Sequence, residues 1–240
     1  MYQKLCTEFY DNDKPLATAQ EVNFYSQFFT KNQLILEPMC GTGRLLIPLL
    51  EAGFKVHGFD NSPYMLTNCK KRLSERNLYT EIFEASITEF HLPQLYDGIV
   101  IPFGSFQLLY PREIAYKALT KLHHHLKPKG KIMFDMYVPW EAMYQGGENE
   151  KTTKNTILPD GSSIVHTSFS KVNKYEQYMS SDNIYEKSVD GKVIAREEEQ
   201  MDLCWYFLYE FELVLEKHGF KNINRIKKII DQEELIVYIA

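Results

Sequence analysis

The sequence lacks several features that would assign it at once to a broad class of protein. No apolar run approaches the roughly 18 residues that a helix needs to cross a bilayer, so we expect no membrane-spanning segment. Basic residues are too few to outweigh the acidic ones: 27 Lys and Arg stand against 32 Asp and Glu, for a net charge of −5. Nucleic-acid binding requires a basic surface, and we therefore expect no nucleic-acid partner.

Cysteine is scarce and scattered. Cys6, Cys40, Cys69 and Cys204 include no Cys-x-x-Cys pair, and residues 1–8 contain no apolar signal region. These features predict a cytoplasmic protein with reduced thiols. The run 123–125 is His-His-His, but neighbouring helical residues point around the axis at steps of about 100° and do not converge on one ion. We interpret it as a solvated helix end and predict no metal site.

One stretch carries a nucleotide-site pattern. Residues 34–36 form a short apolar run, Glu37 follows, and Gly41 and Gly43 precede a predicted helix that starts at Arg44. Glycines allow the backbone to turn sharply and to approach a ligand closely. The helix directs its free N–H groups and positive dipole end at the turn. A small ligand with an anionic or polar edge is therefore expected.

The residues around this turn narrow the choice of nucleotide. A phosphate-binding P-loop needs Gly-Lys-Ser/Thr, but Gly43 is followed by Arg44 and Leu45, so ATP-type binding is disfavoured. The dinucleotide pattern needs a third glycine where this chain has Leu46, which disfavours NAD without excluding it. Asp60 ends the next apolar run, where a carboxylate can accept both hydrogen bonds of a ribose diol. An adenosine is expected. The alternative is an ordinary strand-helix-strand unit in which Asp60 caps a helix.

Residues 35–65 closely resemble the class I S-adenosylmethionine-dependent methyltransferases. The resemblance implies a doubly wound, Rossmann-like α/β fold with a seven-stranded sheet in the order 3-2-1-4-5-7-6, and S-adenosylmethionine as cofactor. It also implies a set of cofactor-binding residues: Glu37, Gly41 and Gly43 at the methionine part, Asp60 at the ribose, Asn61 and Met65 at the adenine, Tyr10 folded over the cofactor, and Phe103 at the strand tip nearest the methyl group.

At two of the implied positions, the sequence also supports a different assignment. Ser86 stands where family members often have an acidic residue that accepts a bond from the adenine amino group, so Ser86, Glu84 or the backbone N–H of Ile87 is expected there. For Tyr10, a role in packing its helix is as well supported as a contact with the cofactor.

The second half of the chain departs from a strand-helix repeat. Asp160-Gly161 and Asp190-Gly191 lie between β-branched and aromatic stretches, which predicts hairpins and a three- or four-stranded antiparallel insert. Together with the run 207–220, this insert resembles the sugar amine N,N-dimethyltransferases, where it borders the substrate and forms a dimer contact. We therefore expect a cofactor domain over 1–140, an insert over 141–204, completion of the sheet over 205–240, and a homodimer.

The resemblance implies methyl transfer to a small-molecule acceptor, with an amine favoured. His166 and Tyr144 are candidate bases, and Trp140, Tyr144 and Trp205 are candidate pocket residues, although core packing explains the aromatic residues equally well. No catalytic residue is assigned. Two other functions stay open: a module that binds the cofactor as a sensor or partner subunit without transfer, and an NAD-dependent reductase.

Overall fold

A computed structural model of the protein describes residues 2–144, 150–230 and 233–240. Its strands are β1 (Leu34–Pro38), β2 (Lys55–Asp60), β3 (Ile82–Glu84), β4 (Tyr96–Ile101), β5 (Leu126–Met136), β6 (Glu150–Ile157), β7 (Ser163–Asn173), β8 (Tyr178–Val189), β9 (Lys192–Cys204), β10 (Asn224–Ile230) and β11 (Glu233–Ile239). Its helices are α1 (Lys4–Asp13), α2 (Ala19–Ser26), α3 (Leu46–Glu51), α4 (Pro63–Glu75), α5 (Arg112–His124), α6 (Trp140–Tyr144) and α7 (Leu208–Lys217).

The chain divides into two compact units. The first, here called the sheet unit, comprises Leu16–Val138 and Trp205–Ala240. The second, here called the insert unit, comprises Met1–Pro15 and Pro139–Cys204. The first helix, α1, thus belongs to the same unit as the insert. Residues 145–149, which fall within the insert boundaries expected from sequence, lie outside the described residues.

The sheet unit is built on a seven-stranded sheet in the order β10-β11-β5-β4-β1-β2-β3. Strands β1 to β5 pair in parallel, β11 runs antiparallel to β5, and β10 runs antiparallel to β11. Numbered within this sheet, the order is 3-2-1-4-5-7-6, so the predicted Rossmann-like fold is confirmed. Strand order reverses between β1 and β4, and ligands bind at the carboxyl ends of strands beside such a reversal.

The central strands of this sheet are buried on both faces. Ile35, Leu36, Ile99, Val100 and Ile101 have no exposed surface, as expected for parallel strands covered by helices. Of these, Ile35 and Val100 share one core cluster with apolar residues of α2, α3 and α4. The core therefore fixes the position of the loops that follow β1, β2 and β4.

The insert unit contains a four-stranded antiparallel sheet in the order β6-β7-β8-β9. Both predicted hairpins occur, and Asp190 and Gly191 each have positive φ (48° and 75°), as a type I′ turn requires. On this sheet, α1 contributes to a small core of its own, formed by Leu5, Cys6, Phe9, Leu158, Ile164 and Tyr185. From the sequence we expect no separate core in the insert, because it is small and polar. The core forms because α1, which is distant along the chain, supplies Leu5, Cys6 and Phe9.

The histidine run differs from its prediction in one respect. His125 is buried rather than solvated: its Nδ1 lies 2.8 Å from the Lys121 carbonyl oxygen, and its Nε2 lies 3.3 Å from the backbone nitrogen of Leu92. It therefore ties the end of α5 to the loop before β4.

Across the described ranges, no three His, Cys, Asp or Glu side chains are grouped so that they could hold a metal ion. Over the same residues, no helix has the length and apolar character that crossing a membrane requires.

Candidate cofactor site at the carboxyl edge of the sheet

The turn after β1 is a left-handed loop tied to β2. Met39, Gly41 and Gly43 have positive φ values of 56°, 54° and 82°. The Cys40 N–H donates to the Phe59 carbonyl oxygen at 3.0 Å, and the Gly43 N–H donates to the Cys40 carbonyl oxygen at 2.9 Å. The loop therefore lies against the end of β2, where Asp60 is located.

The two glycines of the turn have different surroundings. A Cβ placed on Gly43 would lie 2.9 Å from both Cys69 Sγ and Ile47 Cδ1, so Gly43 is needed for packing inside the protein. A Cβ on Gly41 would meet only Met65 Sδ, at the ordinary contact distance of 3.8 Å. The space above Gly41 is therefore left open by the protein and bordered by Met65, which is where a ligand could approach the backbone.

Glu37 lies beneath this turn with only 2% of its surface exposed. Burial raises the pKa of its carboxyl group well above the ordinary value of 4.5, and the neighbouring Cys69 adds to this rise, while Arg44 opposes it. Within the described part of the chain, Glu37 Oε2 has no hydrogen-bond partner. A buried acceptor of this kind is suited to a ligand that brings a donor or a positive charge.

The raised pKa of Glu37 makes stability depend on pH. Below pH 4.5 the carboxyl is protonated both in the fold and in the unfolded chain, and above it only the unfolded chain ionises freely. Stability is thus lost as pH rises from 4.5 through the folded pKa. Because glutamine does not titrate, we expect the melting temperature of Glu37→Gln, relative to that of the unmodified protein, to increase as the pH rises above 4.5.

Thermal unfolding at a series of pH values measures this difference. Glu75→Gln is the matched control, because Glu75 lies on α4 with 56% of its side chain exposed. Its melting curve should follow that of the unmodified protein at every pH. A constant offset between Glu37→Gln and the unmodified protein across the series would contradict the assignment.

Asp60, at the end of β2, organises the turn through both carboxylate oxygens. Oδ2 accepts the Gly41 N–H and Oδ1 accepts the Ser62 N–H, each at 2.9 Å. Burial raises the pKa of this carboxyl group, and the N–H groups of Ser62, Gly41 and Asn61 lower it. An ionised carboxylate has about four acceptor positions, so capacity remains for a ribose diol. The alternative role of Asp60 as a helix cap is wrong, because Ser62 caps α4 by accepting the Met65 N–H.

The residues predicted around the adenine lie near the ends of β2 and β3. Asn61 is exposed, Met65 is 2% exposed, and Ile87 is 6% exposed. The Ser86 hydroxyl lies 2.9 Å from that of Thr88 and accepts the Thr88 N–H at 3.3 Å, so it stabilises its own loop. Roles for these residues in binding adenine stay predictions.

Several residues named from the sequence lie in the insert unit. Tyr10 is half-buried on α1, with its ring edge-on to Tyr2 at 5.9 Å. Trp140 and Tyr144 are exposed and stacked at 6.1 Å, and the ring of His166 stacks on Tyr185 at 4.5 Å. A cofactor role for Tyr10 stays a prediction.

Phe103, predicted at the tip of β4, lies in a group of charged residues that the sequence did not single out. Its backbone N–H donates to Asp135 Oδ2 at 3.1 Å, and the Arg44 guanidinium lies 3.5 Å from its ring centroid. Arg44 in turn forms a two-point ion pair with the fully buried Glu21 of α2, at 3.0 and 3.3 Å. The sequence contains one indication of this charged group: Asp135 is a carboxylate within the otherwise apolar run 132–136.

Comparison with known proteins finds a family match that includes the residues of this site. Residues 35–130 match a protein-family profile described as a methyltransferase domain. A candidate methyltransferase of Bacillus subtilis strain 168, YqeM, is 31% identical over 105 residues, which are 43% of this chain and 42% of that protein. A dTDP-3-amino-3,4,6-trideoxy-alpha-D-glucopyranose N,N-dimethyltransferase of Streptomyces venezuelae is 25% identical over 139 residues, 57% of this chain and 54% of that protein. The chain thus spans about half the length of these relatives.

A solved structure extends the similarity to almost the whole chain. The crystal structure of an S-adenosylmethionine-dependent methyltransferase from Clostridium acetobutylicum ATCC 824 has a TM-score of 0.77 at 20% identity. The match covers 96% of this chain and 95% of that one. At this level of identity, the likeness establishes a shared fold.

Proposed function

We propose that this chain, whose residues 35–130 match a methyltransferase-domain profile and whose fold is shared with an S-adenosylmethionine-dependent methyltransferase, transfers a methyl group from S-adenosylmethionine to a small-molecule acceptor. The observation that carries the proposal is the arrangement around Gly41. The space above it is open, Glu37 beneath the turn has a buried oxygen without a partner in the described residues, and Asp60 keeps acceptor capacity beside it.

These residues fit the parts of the proposed cofactor. Glu37 can accept from the methionine ammonium group, which would place a positive charge beside its buried carboxyl. Asp60 can accept the ribose hydroxyls with the acceptor positions that Gly41 and Ser62 leave free. Met65, beside Gly41, would border the adenine.

The cofactor supplies a sulfonium methyl group for in-line displacement: the bond from methyl carbon to acceptor forms while the bond to sulfur breaks, and the electron pair leaves with the neutral thioether. The protein contributes alignment, and well-oriented reactants can account for several kcal/mol of a barrier. The Phe103 turn at the end of β4 lies beside the glycine turn at the end of β1, because these strands are neighbours. The acceptor would be held between these two turns and the cofactor.

An amine is the acceptor class we favour. A neutral amine attacks without prior loss of a proton, so no general base is needed before the displacement. The Streptomyces venezuelae relative is named as a dimethyltransferase of an amino sugar. We further propose that the chain acts as a homodimer in the cytoplasm, where its four buried cysteines, all free in the structure, would stay reduced.

The test is a comparison of four ligands by thermal shift and calorimetry. S-adenosylmethionine and S-adenosylhomocysteine should raise the melting temperature by mass action, whereas NAD and ATP should not. Incubation with S-adenosylmethionine and a panel of amines, including amino sugars, should then yield methylated product. Tight cofactor binding without transfer to any amine, hydroxyl or carboxyl acceptor would favour the sensor function, and stabilisation by NAD alone would favour the reductase.

Asp60→Ala tests the ribose contact within this function. We expect S-adenosylhomocysteine to bind more weakly by about 1–3 kcal/mol, since hydrogen bonds to a charged acceptor are lost. Asp97→Ala is the matched control: Asp97 also accepts a backbone N–H, from Leu34 at 2.9 Å, but near the start of β1 and β4, at the opposite edge of the sheet. Its affinity should match that of the unmodified protein. Equal affinity in Asp60→Ala would remove Asp60 from the ribose site.

A further inference from the structure

A buried ionic triangle lies next to the end of β4. Lys228 Nζ lies 2.6 Å from Asp135 Oδ2 and 2.6 Å from the Tyr25 hydroxyl, and that hydroxyl donates to the same Asp135 oxygen at 2.6 Å. Each of the three residues is at most 2% exposed. Burial and the neighbouring Asp135 raise the pKa of Tyr25 well above its ordinary value, so the hydroxyl keeps its proton and remains a donor.

The triangle has one further donor, the backbone N–H of Phe103. This N–H lies 3.1 Å from Asp135 Oδ2, the oxygen that Lys228 and Tyr25 also bind. Phe103 and Gly104 have positive φ values of 54° and 68°, and a left-handed conformation is unfavourable at a residue with a Cβ, such as Phe103. A bond to an ionised carboxylate is strong enough to offset that cost.

A second contact holds the same turn from its other side. Gln107 is fully buried and forms a reciprocal pair with the backbone of Tyr137: its Nε2 donates to the Tyr137 carbonyl oxygen and its Oε1 accepts the Tyr137 N–H, both at 2.9 Å. A Cβ on Gly104 would lie 2.9 Å from Tyr137 Cε1. The turn after β4 is therefore attached at two points to residues in or just after β5.

Stability alone does not account for the triangle. Removing two charges from water costs several kcal/mol, and buried ion pairs are often matched or exceeded in stability by apolar residues of similar volume. The other oxygen of Asp135, Oδ1, is also buried and has no hydrogen-bond partner among the described residues. An apolar pair in this position would avoid both costs, so the polar arrangement points to a positional role.

The turn that the triangle holds is linked to the proposed cofactor site. The ring of Phe103 lies against the guanidinium group of Arg44, which directly follows Gly43, at 3.5 Å from centroid to carbon. Arg44 is fixed by its ion pair with Glu21, and Glu21 and Tyr25 both belong to α2. Helix α2 thus connects the glycine turn after β1 with the Phe103 turn after β4.

We propose that Asp135, supported by Lys228 and Tyr25, is a positioning residue that fixes the Phe103-Gly104 turn and thereby aligns the methyl acceptor with the cofactor. The alignment of the acceptor rests on the proposed function. The fixing of the turn does not, and it can be measured without any acceptor. Asp135 contacts no reacting atom in this role. It acts through the backbone of Phe103.

The test replaces the ion pair by apolar residues in the double variant Asp135→Val/Lys228→Met. We expect it to fold and to bind S-adenosylhomocysteine within about twofold of the unmodified protein, since Glu37, Gly41 and Asp60 are untouched. Hydrogen exchange of the peptide 101–108 should be about tenfold faster, because the Phe103 N–H loses its charged acceptor. With an accepted amine, kcat should fall about tenfold or more through misalignment.

Lys227→Met is the matched control, because Lys227 is the neighbouring residue on β10 but is exposed and paired with Glu234. It should leave exchange, binding and kcat unchanged. Tyr25→Phe keeps the ion pair but removes the hydroxyl that helps to hold the Asp135 carboxylate in place beneath the Phe103 N–H. It should therefore also accelerate exchange at 101–108, and this result can be measured even if the double variant does not fold. Exchange at the unmodified rate in both variants would overturn the proposal. Failure of the unmodified protein to bind the adenosyl ligands would instead overturn the proposed function and leave the exchange result valid.

Discussion

Replacing Gly43 by alanine is expected to lower the free energy of unfolding by about 2–4 kcal/mol. Two causes combine. Gly43 has a φ of 82°, which a residue with a Cβ adopts only at a cost, and the new Cβ would lie 2.9 Å from Cys69 Sγ and Ile47 Cδ1. These neighbours belong to the core beneath the turn, so relief requires α4 or α3 to move. Equilibrium unfolding in urea measures the loss directly.

Gly41→Ala is the matched comparison, and it should weaken ligand binding more than it lowers stability. Its φ is also positive, at 54°, but the new Cβ would meet only Met65 Sδ at 3.8 Å, so we expect a loss in stability of about 1 kcal/mol. The added methyl group would instead occupy the space assigned to the cofactor. Affinity for S-adenosylhomocysteine should therefore fall about tenfold or more, whereas Gly43→Ala should affect binding mainly through stability.

The two variants separate the functions of the two glycines. If Gly41→Ala bound S-adenosylhomocysteine as tightly as the unmodified protein, the space above Gly41 would not be the ligand site. If Gly43→Ala were as stable as the unmodified protein, the core would have to accommodate the Cβ without strain. Calorimetry and urea unfolding on the same preparations give both answers.

The sheet and the turn after β1 were predictable because their signals are local. The apolar run 34–36, with which β1 (Leu34–Pro38) begins, and the two glycines of the turn are each recognised from a few neighbouring residues. The hairpins at Asp160-Gly161 and Asp190-Gly191 follow from two residues each. The order of the seven strands came from the family resemblance and is confirmed.

The residues that the sequence did not reveal act through long-range contacts. Tyr25, Asp135 and Lys228 lie on α2, β5 and β10, and no local pattern relates one to another. Lys228 follows another lysine in a strand, where exposure is the ordinary expectation, and only the folded sheet shows that it is buried. His125 was misassigned for the same reason, because its partner, the N–H of Leu92, comes from a separate segment.

Lys228→Met is expected to lower the free energy of unfolding by about 3–5 kcal/mol. The substitution leaves the carboxylate of Asp135 buried with the Tyr25 hydroxyl and the Phe103 N–H as its remaining donors, and without a counter-charge at 2.6 Å. Lys227→Met, one residue earlier on the same strand, should change stability by no more than about 0.5 kcal/mol because its side chain is 67% exposed. Urea unfolding of both variants measures the difference.

The double variant Asp135→Val/Lys228→Met should recover most of the stability that Lys228→Met loses, because no buried charge then remains without its partner. Recovery of stability without recovery of kcat would separate the two roles of the ion pair. The loss in Lys228→Met would then reflect the isolated carboxylate, and the loss of turnover would reflect the released Phe103 turn. A double variant as unstable as Lys228→Met would show instead that the ion pair itself stabilises the sheet unit.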